Sequence, residues 1–81
     1  MLFLENEKEM FKPMKKYIPK KFWDYLMYMG NNGEDNKIYL YKHVDTRHYI
    51  NLDKNGKFYL YIGFEIYKEI DKDTALSILI A

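Results

Sequence analysis

Apolar and polar positions alternate through most of the second half of the chain. The runs are Ile38-Tyr39-Leu40-Tyr41, Tyr49-Ile50-Asn51-Leu52, Phe58-Tyr59-Leu60-Tyr61 and Ile66-Tyr67. Successive side chains of a strand point to opposite faces, so period-two patterning predicts strands. The expected strands span about 37–43, 47–52, 57–62 and 65–70. One face collects Ile, Leu and Phe. The other collects Tyr39, Tyr41, Tyr49, Tyr59, Tyr61 and Tyr67, an aromatic surface with hydroxyl tips that suits contact with a partner.

The first third reads as helical. Leu4, Met10 and Phe11 among charged residues predict a short helix over about 4–12, ending or kinking before Pro13. Pro19 suits the first position of a second helix over about 20–29, with Gly30 just past its end. That segment is apolar almost all round, and such a helix is normally covered on more than one side. It either lies between the sheet and the first helix or offers Trp23, Met27 or Tyr28 to a partner. Residues 30–36 read as a loop, and Asp71 or Asp73 can cap a final helix over about 74–80.

Strand register can be checked by parity, because a one-residue slip exchanges the faces. A turn centred on Asn55, with Gly56 at positive φ, opposes Leu52 to Phe58, Ile50 to Leu60, Tyr49 to Tyr61 and Asn51 to Tyr59. A three-residue loop at 44–46 opposes Leu40 to Ile50 and Tyr41 to Tyr49. One at 63–65 opposes Ile62 to Ile66 and Tyr61 to Tyr67. All three keep like with like: apolar residues face apolar ones, and tyrosines face tyrosine or asparagine. The expected fold is therefore a single α+β domain over residues 1–81. It has a four-stranded antiparallel meander sheet, two N-terminal helices and one short C-terminal helix, in the order α-α-β-β-β-β-α.

Composition narrows the function classes. The 81 residues hold no cysteine, which leaves no disulfide and no thiolate zinc site. The net charge of +1 argues against a DNA mimic and against binding driven mainly by global charge. The opening MLFLENEKEM is too short an apolar stretch for a signal peptide, and no run approaches a membrane span. The expected setting is the bacterial cytoplasm, without membrane, metal or cofactor. Abundant Lys, Ile, Tyr and Asn fit an AT-rich coding genome.

Three constellations carry chemistry. In the tyrosine face, Tyr39, Tyr41, Tyr49, Tyr59 and Tyr61 with Arg47 form the primary candidate contact for a protein or for stacked single-stranded nucleic acid. The second is a cluster of Lys12, Lys15, Lys16, Lys20 and Lys21 with Trp23, either a phosphate-binding patch or a solvated face. The third is His43 with Arg47 and a tyrosine, an acid–base set for RNA cleavage. His43 and His48 fall on opposite faces by parity and share no metal site. There is no phosphate-binding glycine loop and no hydrolase triad order.

The stretch from Tyr41 to Tyr61, with Thr46-Arg47 before Tyr49-Ile-Asn-Leu-Asp53 and the Gly56 turn, resembles short proteins of phages and mobile elements in low-GC bacteria. The resemblance covers about a quarter of the chain and supplies no catalytic residues. It implies a mobile-element setting, in which many proteins of this size are stoichiometric inhibitors of host or defence machinery, anti-CRISPR proteins among them. The expected function is a non-enzymatic inhibitor of a nucleic-acid-handling host complex, acting by steric occlusion. The alternatives are a single-stranded nucleic-acid-binding regulator and a small ribonuclease.

Overall fold

The computed structural model describes the backbone of Leu2–Ala81 and the side chains from Glu9 onward, so the expected role of Leu4 lies outside the described residues. The chain forms a small α+β domain with a five-stranded antiparallel sheet in the order β1-β2-β3-β4-β5, a simple meander. Helix α1 (Leu2–Tyr17) precedes it and α2 (Lys72–Ile80) follows it. The strands are β1 (Leu26–Asn32), β2 (Ile38–His43), β3 (Tyr49–Leu52), β4 (Phe58–Gly63) and β5 (Ile66–Ile70).

Two expectations about the first third are corrected. Helix α1 runs through Pro13 instead of ending before it. An internal proline costs a helix about 3 kcal/mol. Burial of Met14 and Ile18 just beyond it offsets that cost, at roughly 1.5–3 kcal/mol per large apolar side chain. The expected second helix is instead a single 3-10 segment, Lys20–Tyr25, followed by β1. Leu26 is buried and Met27 and Met29 are exposed, the alternation of a strand. Gly30, at φ 103°, sits where the β1–β2 register shifts between Tyr28 and Asn31. It serves a bulge, not a helix end. An apolar run can be read as helix or strand, and here the segment pairs with β2.

The β3–β4 hairpin forms at its turn end, with Asn51 opposite Tyr59, Leu52 opposite Phe58 and Gly56 at φ 84°, but the expected pairs Ile50–Leu60 and Tyr49–Tyr61 are absent, because the strands part beyond Tyr59. The β2–β3 pair does not form as expected. Tyr41 stands opposite Ile50 and Tyr39 opposite Leu52, one residue away from the expected register. The loop holds four residues, because Arg47 takes φ 67° and its amide bonds back to the His43 carbonyl. The His43 ring closes the turn by accepting from the amides of Asp45 and Thr46.

That slip moves every β2 side chain to the other face. Tyr41 is wholly buried with Ile50, Leu52, Phe58, Met14, Ile18, Ala75 and Leu79. Its ring stacks on Phe11, and its hydroxyl donates to the Met10 carbonyl at 2.7 Å. Both helices thus cover one face of the sheet. Helix α2 is capped as expected, Asp71 Oδ1 accepting from the Thr74 amide at 2.7 Å. Its C-terminal turn is tied to the β2–β3 loop by a 2.6 Å bond from the Thr46 hydroxyl to the Leu79 carbonyl.

Candidate functional site

The sheet is hollow where its third and fourth strands part. β4 pairs with β3 only at Phe58 and Tyr59, but it continues beside β5 through Tyr61 opposite Tyr67. Beyond Tyr59 the third and fourth strands therefore part. At the same time, the Asn32 side-chain amide donates to the Tyr67 hydroxyl at 2.9 Å, joining the first strand to the last. The curled sheet borders an open recess of about 560 Å³ that is lined by residues of all five strands. Leu40, Tyr49, Asn51, Tyr61 and Tyr67 border it, and it extends to Leu60 and to Ile78 of α2. Arg47 and His48 also border it.

The polar groups there have defined orientations. His48 Nδ1 lies 2.9 Å from the Ile78 carbonyl, which can only accept, so Nδ1 is the donor of this bond. Asn51 is only 4% exposed; its Nδ2 donates to the Tyr59 carbonyl and its buried Oδ1 has no partner among the described residues. A buried amide oxygen left this way costs about 1–3 kcal/mol. Tyr61 and Tyr67 pack as a tilted pair at 5.1 Å, and the Tyr61 hydroxyl accepts from the Glu65 amide.

The β4–β5 hairpin carries a second feature. Its turn is the two residues Phe64 and Glu65, not the three expected, with an irregularity between Tyr61 and Gly63. Phe64 has φ 53° and Glu65 φ 58°. Positive φ at both central positions marks a type I′ turn, which favours Asn-Gly. Left-handed backbone costs a side-chain-bearing residue about 1–2 kcal/mol. Phe64 is 96% exposed at this tip, flanked by exposed Ile62 and Ile66. This apolar tip was missed in the sequence, where Gly63 was read as part of the loop.

The expected contact residues are thereby divided. Tyr49, Tyr61 and Arg47 border one cavity, as does Tyr67. Tyr59 is half-buried and donates from its hydroxyl to Asp53 Oδ2 at 2.8 Å. Tyr41 is part of the core, and Tyr39 packs against that core. Tyr41 and Tyr39 are therefore separated from the tyrosines of the hollow face. Leu60 is half-buried and Ile62 exposed, where both were expected in the core.

The other constellations are dispersed as well. Lys15 lies over the Trp23 ring, Lys16 over Tyr17 and Lys21 over Phe22, while Lys20 is exposed. Trp23 donates from its indole to the Ile18 carbonyl at 2.8 Å and packs on the core. Lys12 and Lys16 border a separate recess of about 240 Å³ with Lys54, Tyr39 and Glu9. His43 is buried and stacked on Tyr25, its Nδ1 occupied by two turn amides, so it is placed to hold the loop. His43 and His48 are neighbours across the hairpin, not on opposite faces, since the His43 amide bonds to the His48 carbonyl. Among the described residues no group of three or more His, Cys, Asp or Glu could hold a metal ion, and no helix is long and apolar enough to cross a membrane. No family model, no curated protein and no solved structure matches this chain.

Proposed function

We propose that this domain is a non-enzymatic binding protein that seats the tip of its β4–β5 hairpin in an apolar groove of a protein partner. The observation that carries the reading is Phe64, almost fully exposed at a backbone position that disfavours it. Local sequence normally agrees with local structure, and departures concentrate at functional sites. Asparagine or glycine would relax this turn. Phenylalanine strains it and gains no burial within the domain. Ile62 and Ile66 extend the apolar tip, and Tyr61 connects it to the hollow face. Interface energy concentrates in a few such aromatic anchors.

The resemblance of the Tyr41–Tyr61 stretch to small mobile-element proteins supports the role of a stoichiometric inhibitor, occluding a surface of a nucleic-acid-handling host complex. Cross-linking tests the contact. A photo-reactive phenylalanine at position 64 should label a discrete partner in a low-GC bacterial lysate. The same group at Ile80, which is also exposed but lies on α2, should not. Equal labelling from both positions would reject the hairpin as the contact.

A further inference from the structure

We infer that the recess where β3 and β4 part receives the β4–β5 hairpin tip of a second copy of this chain, so that two copies exchange tips in a closed two-fold dimer. The inference rests on the reading of Phe64 as a contact residue, and it gives the recess an occupant. The recess of about 560 Å³ is concave and bordered mainly by Leu40, Tyr49, Leu60, Tyr61, Tyr67 and Ile78. The tip is convex and apolar, with Ile62, Phe64 and Ile66 each more than half exposed. Exposed apolar groups clustered in this way mark contact surfaces. Each surface lacks the apolar cover that the other supplies.

Charge selects the second copy. Arg47, the chain's single arginine, is exposed on the border of the recess, and it is the one side chain with a permanent charge among the described residues there. Glu65 follows Phe64 directly, is exposed, and is the one charged residue between Ile62 and Ile66. An apolar ring beside a carboxylate thus meets apolar walls beside a guanidinium. Arginine binds a carboxylate through paired N–H donors, and matched charge fixes the orientation of docking. The Tyr61 hydroxyl accepts from the Glu65 amide, which ties the tip to the wall of its own recess. Roughly 10 Å of strand separates Tyr61 from Phe64. The two surfaces therefore adjoin, and a two-fold axis between them lets both tips seat at once. Such a contact closes, whereas head-to-tail seating of single tips would leave open ends. In the dimer both tips are covered, so a host partner must compete with the second copy for Phe64.

Sedimentation of the purified protein tests this without any host component. The expected states are monomer at about 1 µM and dimer at about 1 mM. Phe64→Ala should weaken association at least about tenfold. Arg47→Glu and Glu65→Arg each retain a side chain at a backbone of positive φ, and each sets like charges against one another at both contacts. Either variant alone should associate at least about tenfold more weakly. An equimolar mixture of the two should regain the association of the parent, because every tip then meets an opposite charge. Circular dichroism checks that the variants are folded. In the parent, NMR shifts with rising concentration should fall on Tyr49, Phe64 and Tyr67. A monomer at about 1 mM, parent-like association of Phe64→Ala, a mixture no tighter than its components, or shifts confined to Met27 and Met29 of β1 would each overturn the inference. The host contact at Phe64 would survive any of these results, since the cross-link in a lysate measures it separately.

Discussion

The Tyr59 hydroxyl donates to Asp53 Oδ2 at 2.8 Å, while Asp53 Oδ1 accepts from the amides of Asn55 and Lys57 at 2.8 and 3.1 Å. One carboxylate thus fastens the β3–β4 turn and the strand that follows it. Burial raises the Asp53 carboxyl, but the bonds from Lys57, Tyr59 and Asn55 outweigh it and hold the group below its ordinary value. The Tyr59 phenol is pushed up to about 12, first by burial and then by Asp53.

These two shifts set opposite ends of the stability profile. A depressed carboxylate contributes above its unfolded value, about 3.9, and the contribution is lost as pH falls through the lower folded value. A raised phenol contributes fully below about 10, and that contribution is lost as pH rises through the folded value. Tyr59→Phe should leave Asp53 Oδ2 without its donor, cost about 1–3 kcal/mol at neutral pH, and flatten the alkaline decline. Urea unfolding between acid and alkaline pH measures both effects.

Tyr41 should behave as a core residue. Tyr41→Ala should cost roughly 3–5 kcal/mol, as for other large aromatic truncations, which threatens a domain this small. Tyr41→Phe should cost about 1 kcal/mol for the lost bond to the Met10 carbonyl. Tyr49→Ala, on the hollow face, should leave the fold intact. Chemical denaturation of the three variants checks the ranking, and a parent-like stability of Tyr41→Ala would contradict the β2–β3 register.

Gly56 and Gly30 separate steric contact from backbone conformation. Both have positive φ, but a Cβ at Gly56 would stand 2.5 Å from Tyr17 Cε1, whereas at Gly30 nothing lies within 4 Å. Tyr17 is held there by its bond to the Lys54 carbonyl. Gly30→Ala should incur only the left-handed backbone cost of about 1–2 kcal/mol. Gly56→Ala should lose more, because the ring must also move. Melting temperatures of the pair provide the comparison.

Much of the sheet was legible because period-two patterning and the Asp53–Gly56 turn are local signals. Ile50, Leu52 and Phe58 are buried and Tyr59 and Tyr61 lie opposite, as the pattern requires. The β2–β3 register was not legible, because it depends on Arg47 adopting positive φ and on a histidine ring closing the loop. Neither has a composition signature. Tyrosine made the error easy, since its ring serves a core as well as a surface once its hydroxyl finds a carbonyl. β1 was hidden for another reason: the apolar run from Phe22 to Met29 satisfies both periods, and Gly30, which serves a bulge inside the strand, reads equally well as a helix end. The hollow could not be read at all, because it arises from where β3 and β4 part.

The exchange of Phe64-Glu65 for Asn-Gly tests the binding account most directly, because it separates the strain of the turn from the use of its tip. The substitution supplies the residues that a type I′ turn prefers and removes the exposed aromatic ring. Relief of about 1–2 kcal/mol should raise the melting temperature by roughly 4–8 °C per kcal/mol. Affinity for the partner cross-linked through position 64 should fall at least about tenfold. A variant that is more stable and binds that partner as tightly as the parent would contradict the account.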